Sequence, residues 1–176
     1  MTTHLVLSAI GDDRPGIVEE LARTIMDAGC NIEDSRMSVL GGSFAVILLI
    51  SGQWNTVSKL ESGLPSLERK HGLTLSSKRT EGRRPADKLL PYTAEVVGLD
   101  NPGIVHELAS FFSHRGINIE DMSTSSYKAA HTATPMFAVH MTIGVPTQQQ
   151  IASLREEFLD LCDQMNLDGV LEPAKH

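Results

Sequence analysis

The residues best suited to chemistry are Asp13-Arg14-Pro15-Gly16 and, 87 positions later, Asp100-Asn101-Pro102-Gly103. Each follows an apolar run and precedes an amphipathic stretch, so each D-x-P-G turn falls at a strand-to-helix junction. The first N–H groups of a helix lack intrahelical acceptors and lie at the positive end of its dipole, which suits a carboxylate or phosphate. Gly16 and Gly103 carry no side chain to hold a ligand away from those N–H groups, and Asp13 and Asp100 put a carboxylate beside them. A carboxylate receptor next to an ammonium receptor fits a free α-amino acid better than a nucleotide, whose phosphates Asp repels. The same residues have a purely structural use, in which Asp caps the helix and Pro-Gly shapes the turn. Asn31 and Asn118 follow the glycines that end the two helices; they offer an amide to the ligand or satisfy local backbone groups.

Other constellations are weak. The seven histidines show no H-x-H or H-E-x-x-H spacing, and His106 and His114 lie two helical turns apart, too far for one metal. They read as surface residues, and His140, in a strand, as a partly buried and satisfied one. No nucleophile elbow, P-loop or dinucleotide fingerprint is present, so no catalytic residue, metal or cofactor is expected. Cys30 and Cys162 have no C-x-x-C spacing and read as reduced thiols packed as small hydrophobes. The formal charge is −7, from 15 basic and 22 acidic residues, which disfavours a phosphate backbone as partner.

These turns need elements to position them, and the chain writes those elements twice. Gly11–Asp34 and Gly98–Asp121 agree at 14 of 24 positions, clustered in D-x-P-G-I-V-x-E-L-A and G-x-N-I-E-D. The apolar segment His4–Gly11 reads as a strand. Ile17, Val18, Leu21, Ala22, Ile25 and Met26 make one helical stripe, and Asn31–Leu40 and Ser43–Ile50 read as strands joined by a Gly41-Gly42 hairpin turn. A second helix from about Trp54 buries Val57, Leu60, Leu64 and Leu67; Gly63 and Pro65 are expected to break or kink it, with a further turn beginning at Pro65. A short strand covers Leu73–Lys78. The second copy repeats the order, with strands at Leu90–Gly98, Asn118–Tyr127 and Gly169–Leu171. Its helices turn Ile104, Val105, Leu108, Ala109 and Phe112, and then Ile151, Leu154, Phe158, Leu161, Cys162 and Met165, inward. Phe-Ala-Val recurs at Phe44–Val46 and Phe137–Val139 with an offset of 93, so six residues are inserted near Tyr127–Pro135.

The order β-α-β-β-α-β, twice, predicts an α+β fold: two ferredoxin-like units, each an antiparallel sheet with helices on one face. The expected limits are 1–80 for the first, 81–88 for a linker and 89–176 for the second. Arg79, Arg83 and Arg84 in or beside the linker read either as an anion patch or as a solvated connector. Units this small bury a limited core, so pairing of one copy with the other is expected. No apolar run approaches the ~20 residues that span a bilayer, and a cytoplasmic protein without a membrane partner is expected.

D-R-P-G-I-V in a β-α turn followed by G-x-N-I-E-D-S resembles the ACT domain, an amino-acid-binding regulatory module. Two such modules, with CNIEDSRMSVLGGSFAVILLISGQWN in the first, resemble the glycine cleavage system transcriptional repressor family. The resemblance implies side-by-side ACT pairing, which also permits a homo-oligomer, with a small amino acid at the junction, glycine being suspected. It places Asp13, Arg14, Pro15, Gly16, Ile17, Asn31 and Ile32 at the ligand in one copy. In the other it places Asp100, Asn101, Pro102, Gly103, Ile104, Asn118 and Ile119 there. It also implies repression through a protein partner, a LysR-type activator, without direct DNA contact. The alternative is a ligand-independent interaction module; an enzyme is a distant third. Asn101 stands where the first copy has Arg14, so the two sites cannot be equivalent.

Overall fold

The computed structural model describes residues 1–81 and 89–175, and it divides into two compact units, Met1–Arg84 and Pro85–His176. The first unit runs β1 (Thr2–Asp12), α1 (Ile17–Asp27), β2 (Asn31–Leu40), β3 (Ser43–Gln53), α2 (Trp54–His71) and β4 (Thr74–Thr80). The second runs β5 (Leu89–Leu99), α3 (Ile104–Ser113), β6 (Asn118–Lys128), β7 (Pro135–Pro146), α4 (Ile151–Gln164) and β8 (Leu167–Pro173). Each sheet is antiparallel, in the order β2-β3-β1-β4 and β6-β7-β5-β8. Two βαββαβ units of α+β type are therefore present.

Alternation along the two central strands builds each core. Leu5, Leu7 and Ala9 of β1 and Phe44, Val46, Leu48 and Ile50 of β3 are buried on one face. Ile17, Leu21 and Ile25 of α1 and Val57, Leu60, Leu64 and Leu67 of α2 belong to the same cluster. The second core is richer in aromatics: Phe111, Phe112 and Phe158 pack with centroids 5.2–5.9 Å apart, among Val96, Val139, Met141 and Ile143. Edge-to-face and offset rings are favourable arrangements of such aromatics. Gly11 and Gly98, identical in the repeat, lie where the last strand crosses; a Cβ on Gly11 would stand 2.6 Å from Leu73 Cδ2, and one on Gly98 would collide with Leu167 Cδ2.

The structure departs from the sequence expectations at several points. α2 does not break at Pro65; it continues to His71 with Pro65 exposed inside it. Proline there leaves the Glu61 carbonyl without its N–H partner, but buried Leu64 and Leu67 on either side hold the turn against the core, and packing overrides propensity. β4 extends to Thr80, so Arg79 is a strand residue; it contacts Glu61 at 2.7 Å and lies over the Trp54 ring at 5.5 Å. It is thus engaged, while the rest of the expected linker from residue 82, with Arg83 and Arg84, lies outside the described residues. Val18 and Met26 are exposed at the margin of the α1 stripe, as is Val105 on α3, whereas Phe111 is buried. His140 is exposed, on the open face of its sheet, with Nδ1 3.1 Å from Glu95 Oε1. The insertion forms the loop 129–134, closed by Ala129 N–H donating to Thr134 O and Ala133 N–H to Ala129 O, both at 2.9 Å. Among the described residues, no helix is long and apolar enough to cross a membrane, and no cluster of His, Cys, Asp or Glu could hold a metal.

Candidate functional site

Both D-x-P-G turns have the same backbone. Gly16 and Gly103 are the N-caps of α1 and α3, in the left-handed region at φ 88° and 92°, where any other L-residue is strained. Each turn is pinned to its neighbouring hairpin, Asp13 N–H donating to Gly42 O at 3.3 Å and Asp100 N–H to Pro135 O at 3.1 Å. The helix ladder starts at the cap: the first return bonds are Glu20 N–H to Gly16 O and Glu107 N–H to Gly103 O, each 3.0 Å. Among the described residues, the N–H groups of Gly16, Val18 and Glu19 have no backbone acceptor. Neither helix has a side-chain cap hydrogen bond. The capping role for Asp13 and Asp100 is therefore not what these side chains do, and neither carboxylate has a hydrogen-bond or ion-pair partner among the described residues.

In the first unit the turn Asp13–Ile17 lines an open cleft of about 520 Å³ with Val18, Met37 and Phe44. Val18, at the exposed margin of the α1 stripe, thus forms part of the apolar wall of that cleft. Val18 and Phe44 are shared with a narrow slot of about 30 Å³ that Ile32 lines. Asn31 lies elsewhere. It pairs with Ser51, while Asp12 pairs with Ser43; eight residues of strand separate them, roughly 27 Å at 3.4 Å per residue. Asn118 is likewise at the far end from Asp100, next to a cleft of about 380 Å³ that also holds Ile119, Ile117 and Gly116. Within one unit, then, one small ligand cannot touch both the turn and the start of the second strand. A bulge follows each of these asparagines, between Ile32 and Asp34 and between Ile119 and Asp121, and bulges re-aim the neighbouring side chains.

Arg14 does not face solvent as a free cation. Its guanidinium forks onto Glu20, Nη1 to Oε1 at 3.2 Å and Nη2 to Oε2 at 2.6 Å. His71, at the end of α2, places Nδ1 2.6 Å from the same Oε2 and 3.4 Å from Arg14 Nη2. The Arg14 hydrogen bond holds the Glu20 carboxyl below its usual range, and Glu20 in turn raises Arg14. In the second unit Glu107 occupies the matching helix position, but Asn101 replaces the arginine and donates its amide to Leu99 O at 3.4 Å. Glu20, His71, Met37 and Phe44 were not legible as site residues. Glu20 and Phe44 carried a signal, their recurrence in the repeat as Glu107 and Phe137; His71 is 57 residues from Arg14 and has no counterpart.

A family model described as the ACT domain matches residues 3–78. The glycine cleavage system transcriptional repressor of Escherichia coli is 31% identical over 173 residues, covering 98% of this chain and 91% of that protein. A crystal structure provisionally assigned as a glycine cleavage system transcriptional repressor superposes with a TM-score of 0.78 at 32% identity, covering 100% of this chain and 99% of that one. A Galdieria sulphuraria protein of unknown role superposes with a TM-score of 0.80 at 27% identity, over 99% of this chain and 100% of that one.

Proposed function

The chain belongs to the ACT-domain family of the glycine cleavage system transcriptional repressor, and from that premise we propose that it is an amino-acid sensor that represses glycine cleavage genes through a protein partner. The observation that carries the reading is the turn of the first unit, where an unpartnered Asp13 carboxylate stands beside helix-start N–H groups in a solvent-open cleft. The N–H groups of Gly16, Val18 and Glu19 receive the ligand carboxylate, and Asp13 receives its ammonium. Asn31 and Asn118 stand too far from the turn of their own unit to share that ligand.

Glycine is the ligand the family suggests. It has no side chain to bury, so two charge-assisted contacts supply most of its affinity, and dissociation constants from tens of micromolar to millimolar follow. Binding changes repression only if the liganded and free forms differ in affinity for the partner. That partner is a transcriptional activator, of the LysR type by family likeness, and the acidic chain makes no direct DNA contact.

The test is calorimetric titration of wild type, Asp13→Asn and Asp100→Asn with glycine, with circular dichroism as the check on folding. Losing a hydrogen bond to a charged group costs ~1.5–3 kcal/mol, so Asp13→Asn is expected to weaken binding roughly ten- to a hundredfold. Equal binding by all three proteins means that the turns are structural, whereas no binding by any of them leaves a ligand-independent interaction module.

A further inference from the structure

We propose that Glu20 sets the charge class of ligand that the first turn accepts: by holding Arg14, it withdraws the cation that would otherwise receive a second carboxylate. This rests on the amino-acid reading of the turn given above. Arg14 is the one basic residue lining the cleft. Both of its terminal nitrogens donate to the two oxygens of Glu20, so the carboxylate it grips already balances the charge that would draw an incoming one. The fork is anchored from a second element, because His71, with a side chain only 12% exposed, bonds the same carboxylate.

The remaining acidic groups act in the same direction. Among the described residues Asp13 has no side-chain partner, and Glu19, which also lines the cleft, is paired with Arg23 at 2.6 Å. A ligand with one carboxylate and one ammonium matches the helix-start N–H groups and Asp13. An acidic amino acid brings a further negative charge to Asp13 with no free cation to balance it. Discrimination by such a repulsive element is a general route to specificity. The device belongs to the first turn alone, since Asn101 replaces the arginine in the second and its amide turns back onto Leu99 O.

The experiment titrates full-length wild type, Glu20→Gln and the double variant Arg14→Gln/Glu20→Gln with glycine and with aspartate. Arg14 and Glu20 are 38% and 37% exposed, so the pair is partly screened and a moderate effect is expected. In Glu20→Gln the affinity for aspartate relative to glycine rises roughly three- to tenfold, and the rise shrinks at high salt. The double variant returns the ratio to the wild-type value. An unchanged ratio in folded Glu20→Gln overturns the inference while leaving glycine binding intact. If Glu20→Gln fails to fold, Glu20→Asp, which keeps the charge but shortens the reach, is expected to move the ratio the same way, and no movement overturns the inference. If wild type binds none of the twenty amino acids, the sensor reading falls, and this one falls with it.

Discussion

Asp13 and Gly16 show how much a single residue type can carry. The glycine of D-x-P-G is legible as a turn residue, and the structure supplies its reason: φ of 88° at Gly16 and 92° at Gly103. An ideal Cβ on Gly16 meets nothing within 4 Å, so alanine there incurs only the backbone penalty of the left-handed region, about 1–2 kcal/mol. Gly16→Ala is therefore expected to lower unfolding stability by that amount in urea titration; unchanged stability would mean that the turn relaxes to another conformation. Asp13 was legible as a carboxylate beside a helix start, but its freedom from partners was not, because freedom depends on everything that does not approach it. Arg14 is the counter-case. Its charge is plain in the sequence, yet its engagement by Glu20 and His71 depends on where α2 ends.

Helices and strands were mostly legible from periodicity. Val57, Leu60, Leu64 and Leu67 announce their buried face by spacing alone, and all of them are buried. Boundaries were less so. α2 runs through Gly63 and Pro65, two residues that disfavour helix, because the leucines around them are fixed in the core. Gly63 is exposed, and a Cβ there meets nothing within 4 Å. Gly63→Ala is expected to stabilise the chain by about 1 kcal/mol, read as a raised urea midpoint with an unchanged slope. No gain would indicate that this part of α2 is not helical in solution. Strand register decided the site more sharply. Pairing Asn31 with Ser51, not with Ser43, puts the asparagine at the far end of the sheet from its own unit's turn.

For the molecule as a whole, the net charge of −7 bears most directly on partners. A chain that neutralises few phosphates releases few counterions and gains little affinity for DNA. Selection of a random DNA library on the purified full-length chain at physiological salt is expected to enrich no sequence. An enriched motif, confirmed by gel shift, would make it a direct DNA-binding repressor. Tandem duplication was written openly: 14 identities in 24 positions, and the D-x-P-G turn, the G-x-N-I-E-D segment and the βαββαβ order each appear twice. The sequence by itself thus determined the fold of each unit and the chemistry offered at each turn, because periodicity, turn residues and charge act over a few neighbouring residues. Only the tertiary structure decided that Arg14 is held by Glu20 and His71, that Val18, Met37 and Phe44 wall the first cleft, and that the turn and Asn31 of one unit stand apart. Apart from the Arg14–Glu20 pair, six positions apart, those facts follow from strand register and helix ends, which bring together or separate residues tens of positions apart in the chain.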